Sequence, residues 1–189
     1  MRLKIVQAGD PVLREAARPL TPQEIGSDET QRLIRDMKET MYDAPGVGLA
    51  APQVGVPLQL AVIEDREEYL KALPERELLE KERKPVPFHV LINPRIVAQG
   101  SDRVEFYEGG LSLAGFSAVV PRARTARVEY FDECGELRSV QASGWFARIL
   151  QHEVDHLGGT LYIDQMYSRT FTSLDNWNRF WKAKPNPAN

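Results

Sequence analysis

With 189 residues, 42% of them apolar and 27% charged, the chain is long enough for one domain with its own hydrophobic core and too short for two ordinary ones. A net charge of −3, with acids and bases interspersed, excludes a basic footprint for DNA or general nucleic-acid binding, and no run approaches the roughly 18 consecutive apolar residues of a membrane span. The basic start breaks at Gly9, Asp10 and Pro11 before a signal-peptide core can form, and the single cysteine, Cys134, has no internal disulfide partner, so a cytoplasmic, reducing setting is expected.

Thr21-Pro22-Gln23-Glu24 has capping-box spacing with proline at the first helical position. Leu33, Ile34, Met37 and Met41 then recur at helical intervals, which predicts a helix over 28–43 that stops before Pro45-Gly46. The run GVGLAAPQVG from Gly46 to Gly55 is too rich in glycine and small residues for a helix and predicts a loop or irregular strand whose backbone can approach a neighbour closely. Leu58 to Ile63 reads as a strand, and the charged stretch 64–84 as an exposed helical insertion. The segments 88–92, 95–98, 103–107 and 124–131, rich in β-branched and aromatic residues, predict an antiparallel sheet. Asp132-Glu133-Cys134-Gly135 has hairpin-turn chemistry with a partner strand near 136–142, which puts Cys134 on a turn. Trp145, Ile149, Leu150, Val154 and Leu157 then mark a core helix over 144–158 with Gly158 as its stop, and the Pro-, Asn- and Ala-rich tail after Ser168 is expected to fray. The fold class is α+β, with largely antiparallel sheets packed around a C-terminal core helix.

That helix carries His152-Glu153-Val154-Asp155-His156. Histidines four apart stack on one helical face and can grip one ion, while Glu153, turned by about 100°, can serve a water at that ion without ligating. The pattern points to hydrolysis. The alternative is an amphipathic helix with solvent-facing histidines, and the clustering of two of the three histidines in this motif weighs against it. His89, in an apolar run, reads as a hydrogen-bonded core or edge residue. Taken alone, Gly46 and Gly48 read as an ordinary turn and Gln53 as a surface polar residue.

Three runs in order, GVGLAAPQ from Gly46, EGGLS from Glu108 and QHEVDHLGG from Gln151, resemble the peptide deformylase motifs GφGφAAPQ, EGCφS and QHEφDHφxG. The similarity extends from about Asp10, through Asn93-Pro94 and Val120-Pro121-Arg122, to about Met166. The resemblance implies one divalent metal ion, Fe2+ or Zn2+ with Ni2+ usable in vitro, on His152 and His156, and Glu153 as general acid and base. It implies the Gln53 side-chain amide and the Leu111 backbone N–H as oxyanion donors, with Val47 and Gly48, besides Gln53 and Leu111, binding the substrate. Glu108 and Arg122 would form a structural salt bridge behind the site, and Asp155 would support the ligands from outside. The implied substrates are N-formylmethionyl peptides of nascent proteins, with no DNA or membrane partner and with a transient ribosome contact left open.

One departure touches the chemistry: the family's cysteine ligand position is Gly110, and Cys134, two dozen residues further on, is a poor substitute. Ala114, where a proline is usual, is milder. Two neutral imidazoles lack the soft, negative ligand and should hold iron or zinc more weakly, while a bound ion would keep more positive charge. Two rival readings follow: a weak or inactive homologue that binds peptide termini or a ribosomal partner, and a hydrolase of another N-formyl or N-acyl compound.

Overall fold

The structure, a computed structural model, describes residues 1–182. The capping box at Thr21 starts a separate four-residue helix, α1 (Pro22–Ile25). A second cap, the Ser27 hydroxyl, accepts from Thr30 N–H and starts α2 (Asp28–Asp43), which spans the predicted 28–43. The glycine-rich run becomes β1 (Gly48–Ala50) followed by a tight helical turn at Ala51–Val54, closed by Gly55 at φ 81°. β2 (Leu60–Asp65) runs two residues later than expected, because Leu58 is bridged to Arg18 instead.

The stretch 64–84 is largely exposed and partly helical, as expected, but not as one helix. It makes two short helices, α3 (Glu67–Leu70) and α4 (Glu75–Glu80), tied down by a fully buried Asp65 that accepts from Arg83 at 2.7 and 2.9 Å. A buried carboxylate is tolerable only with such a partner. The runs at 88–92 and 95–98 form one strand, β3 (Val86–Gln99), whose register shifts between Ile92 and Arg95. Asn93 sits there at φ 50° and bonds the Leu20 N–H and C=O through its amide, both at 2.8 Å.

β4 (Arg103–Glu108) pairs with β5 (Phe116–Ala123), a strand that sequence patterning missed. Pro121 within it demotes it on sequence grounds. The fold accommodates the proline because β5 has a second strand neighbour only at Phe116 and Ser117. β6 (Thr125–Phe131) and β7 (Leu137–Ser143) form the predicted hairpin, with Cys134 exposed on its turn. α5 (Gly144–Leu157) is the predicted core helix, capped by Gly158, with Gly159 next at φ 74°. The tail is ordered as far as it is described, through β8 (Thr172–Ser173) and helical turns to Trp181, and the Pro-, Asn- and Ala-rich run lies in 183–189, outside the described residues.

The strands form a five-stranded antiparallel sheet, β1-β2-β3-β6-β7, and a smaller one, β4-β5-β8. Alternation along β2 and β3 sorts two cores: Ala61, Ile63 and Leu91 pack with Ala147 and Leu150 of α5, while Leu60, Val62, Val90 and Ile92 pack with Ile34, Met37 and Met41 of α2. Covered on both faces, Leu60 to Ile63 are wholly buried, with Leu60, Val62 and Ile63 each contributing roughly 1.5–3 kcal/mol. The helix with the motif is thereby set against a rigid sheet, and β1 is that sheet's edge. No helix among the described residues is long and apolar enough to cross a membrane.

Candidate functional site

α5 presents His152, Glu153 and His156 toward β1, β4 and the loop after β4. The solvent-facing alternative fails: Glu153 and His156 are buried, and the His152 side chain is largely so. Behind His152 lies a charge cluster that spans three elements. Glu108, at the end of β4, accepts from Arg122 of β5 at 2.7 and 2.9 Å and from Arg148 of α5 at 2.6 Å. Arg122 also donates to Asp155 at 2.5 Å, and Arg148 to the Val120 and Val104 carbonyls at 2.9 and 2.7 Å. Two guanidinia facing two carboxylates make this buried group close to neutral, as a low-dielectric interior demands. Burial pushes the Glu108 carboxyl up, and its bonds to Arg122 and His152 outweigh that and hold it well below the usual range. Arg148 is a member that motif reading did not supply.

The Glu108 oxygen that accepts from Arg122 Nη2 also orients the first histidine. Glu108 Oε2 lies 3.0 Å from His152 Nδ1, and an ionised carboxylate only accepts, so Nδ1 carries a proton, which in the neutral ring leaves the lone pair on Nε2. Burial drives the His152 ring toward neutrality, yet the Glu108 contact prevails and raises its pKa. Burial, foremost, and the neighbouring His152 and Arg122 charges push His156 well below its usual value, which favours its neutral form. The two Nε2 atoms sit 3.2 Å apart. A tetrahedral ion with Zn–N bonds of about 2.0–2.1 Å sets its nitrogen ligands about 3.3–3.4 Å apart, so the pair fits one divalent ion.

A third protein donor is missing: among the described residues no three His, Cys, Asp or Glu side chains converge. A Cβ built on Gly110 would lie 3.9 Å from His152 Cε1 and 3.6 Å from Tyr162 ring carbons, in ordinary contact with both. Position 110 therefore borders His152, and Cys134 on its hairpin turn does not line the pocket.

Glu153 Oε2 is buried without a hydrogen-bond partner, and burial, against the pull of His152 and Arg122, raises this carboxyl to about 7. Its other oxygen explains Gly48, since a Cβ there would stand 2.1 Å from Glu153 Oε1. Gly46 makes room in the same way for Leu111, whose Cδ1 a Cβ would meet at 2.9 Å. Gln53 is not a surface residue but is buried: its Oε1 accepts from Ala50 N–H at 2.9 Å, which turns the amide nitrogen toward Ser112 Oγ at 3.3 Å. Gln7, which no motif flagged, bonds the Leu111 carbonyl at 3.0 Å and the Ala114 N–H at 3.3 Å and so braces the loop.

One pocket of about 610 Å³ is lined by Gly46, Val47, Gly48, Gln53, Gly110, Leu111, His152 and Glu153 among others, with His156 outside its lining. His89 lies elsewhere, 3.1 Å from the Tyr130 hydroxyl, the bonded half-buried histidine expected.

A helix-borne HExxH run, buried against an antiparallel sheet with an edge strand along the pocket, defines the class: an α+β protein built like a metal-dependent hydrolase. The chain belongs to the polypeptide deformylase family, whose family model matches residues 2–171. It is 49% identical over 173 residues to peptide deformylase 1A, chloroplastic/mitochondrial, of Arabidopsis thaliana, covering 92% of this chain. It spans less than two thirds, 64%, of that plant protein's own length. Against peptide deformylase 3 of Streptomyces avermitilis it is 46% identical, over 98% of this chain and 80% of the other. Its fold matches the Met-Ala-Ser-bound class I type b peptide deformylase of Acinetobacter baumannii with a TM-score of 0.78 at 29% identity, over 88% of this chain and 99% of that one.

Proposed function

We propose that the chain, acting as one domain, is a metal-dependent hydrolase that removes the formyl group from N-formylmethionyl peptides. The observation that carries this reading is one pocket lined by His152, Glu153 and Gln53, with His156 Nε2 3.2 Å behind His152 Nε2 and a Glu153 oxygen buried without a partner. His152 and His156 would hold one divalent ion, Fe2+ or Zn2+. When bound, such an ion polarises a carbonyl and acidifies water.

The remaining work falls to the chain's own groups. The outer edge of β1, whose one strand neighbour among the described residues is β2, would offer the Gly48 backbone and the N–H of the preceding Val47 to an extended peptide. Glu153, with a carboxyl pKa near neutrality, takes the proton from the attacking water and returns it to the departing amine. The Gln53 amide and the Leu111 N–H donate to the oxygen on which charge develops. The Glu108 cluster keeps His152 in the tautomer that offers Nε2. A reducing compartment, the cytoplasm, suits a chain whose one cysteine is exposed.

One observation favours a second reading, a homologue that binds peptide termini without turnover: Gly110 leaves the histidines without a third protein donor. Metal content, with hydrolysis of formyl-Met-Ala-Ser by wild type and Glu153→Ala, separates the two. The deformylase reading expects about one ion in each protein and turnover in the wild type only. Equal turnover in both would sink the role given to Glu153, and bound metal with no turnover in either would leave the binding homologue.

A further inference from the structure

The loop that carries the Leu111 N–H has little of its own to fix it in place. Gly109 and Gly110 precede Leu111, and glycine leaves the backbone many conformations. Gly110 also has no side chain to offer an ion on the histidines, so the tether that a ligand at this position would supply is missing. The turn Gly110–Leu113 is closed by Leu113 N–H on the Gly110 carbonyl at 2.9 Å, a bond that does not use the Leu111 N–H. Its direction is therefore set by what holds the turn from outside. The N-terminal segment does this. Ala8 N–H donates to the Ser112 carbonyl at 2.8 Å, and Gln7 Nε2 donates to the Leu111 carbonyl at 3.0 Å while Gln7 Oε1 accepts from Ala114 N–H at 3.3 Å. The same segment reaches the other donor: Val6 N–H donates to the Gln53 carbonyl at 2.9 Å, and Gln53 Nε2 lies 3.3 Å from Ser112 Oγ. Three consecutive residues thus hold the Gln53 turn and the Leu111 turn in one register.

We propose that Gln7 is a positioning residue for the reaction: it holds the turn 110–113 so that the Leu111 N–H stays aimed at the oxygen on which charge develops, in place of the tether that Gly110 cannot provide. This inference rests on the reading of Leu111 and Gln53 as oxyanion donors. The residue type suits the task. One amide presents a donor and an acceptor side by side, so it meets the Leu111 carbonyl and the Ala114 N–H together and fixes the peptide planes that follow Leu111. A glutamate would keep the bond from Ala114 but set a carboxylate oxygen against the Leu111 carbonyl, and a methionine of similar length would make neither bond. Val6 and Ala8 act through their backbones, so Gln7 is the part of the clamp that a side-chain substitution releases. It is exposed, so releasing it leaves the core packing intact.

Steady-state kinetics and amide hydrogen exchange on the metal-loaded protein test this. Wild type, Gln7→Met, Gln7→Glu and the exposed control Lys4→Ala are compared for formyl-Met-Ala-Ser hydrolysis, metal content and exchange rates. Two exposed hydrogen bonds together shift an equilibrium by about tenfold, so Gln7→Met should lower kcat about tenfold with KM and metal content unchanged. The Ala114 amide, freed of its acceptor, should exchange about tenfold faster. Gln7→Glu should lose kcat by a similar factor, and Lys4→Ala should match wild type. In the Gly110→Cys background a metal-bound sulfur ties the turn, so the same Gln7→Met change should cost about twofold at most, a coupling that a merely structural role would not produce. Unchanged Ala114 exchange in Gln7→Met, a loss confined to KM, or an equal kcat loss in both backgrounds overturns the positioning role while the hydrolase reading stands. A metal-loaded wild type without turnover overturns the hydrolase reading and the positioning role with it. Should Gly110→Cys not fold, the split between kcat and KM and the exchange rates of Gln7→Met decide.

Discussion

Replacing Gly110 by cysteine should convert a two-donor site into a three-donor one. The added Cβ meets nothing nearer than 3.6 Å, so the substitution is accommodated without moving Tyr162, and it stands 3.9 Å from His152 Cε1, on the side of the histidines. Zinc sites with four protein ligands are worth roughly 10–16 kcal/mol in binding free energy, or about 2.5–4 kcal/mol per ligand. At 1.4 kcal/mol per factor of ten, one thiolate should tighten metal binding by about 60- to 700-fold. Competition against a chelator of known affinity, run on wild type and Gly110→Cys with Fe2+, Ni2+ and Zn2+ in turn, measures that ratio. With Co2+ as a probe, a sulfur-to-metal charge-transfer band should appear in the variant only. Hydrolysis of formyl-Met-Ala-Ser should rise with occupancy. An affinity ratio near one, with no new band, would refute the placement of residue 110 at the metal.

Three further outcomes follow from the same geometry. His156→Ala should abolish stoichiometric metal, because a pair of donors has no reserve; elemental analysis that still finds about one ion per chain would put the site elsewhere. Gln53→Ala should lower turnover by about 100- to 1000-fold with a much smaller change in KM, as expected of a donor that acts on the transition state, and a loss confined to KM would make it a plain binding residue. Gly48→Ala puts a methyl 2.1 Å from Glu153 Oε1, so the carboxylate must swing away. Overpacking of this kind costs about 1–3 kcal/mol, which chemical denaturation should register together with a loss of turnover, and an unchanged denaturation midpoint would argue against the close approach.

Short-range pattern was sufficient for α2, for the Asp132–Gly135 hairpin and for α5, because periodicity, caps and turn residues act over a few positions. The HExxH spacing fixes by itself that His152 and His156 share a helical face and that Glu153 sits beside them. Elsewhere the deciding contacts are remote in sequence. β5 was hidden by Pro121, whose missing N–H is harmless only where the strand lacks a neighbour, and that depends on where β8 falls. The exposure of most of residues 64–84 is legible in their charges, whereas the burial of Asp65 against Arg83 is not. Gly48 was readable as permissive backbone, but the cause of its smallness, the Glu153 carboxylate from over a hundred residues away, arises only when α5 docks on β1. The same holds for Glu108, which gathers Arg122 from β5 and Arg148 and His152 from α5, and for Leu174, which reaches the pocket only because β8 folds back on β5. Sequence determined which groups the chain can offer and which of them lie on one helix. Tertiary packing decided which become buried, neutralised and aimed at the same point, because burial and convergence are properties of contacts between elements and not of any one element's pattern.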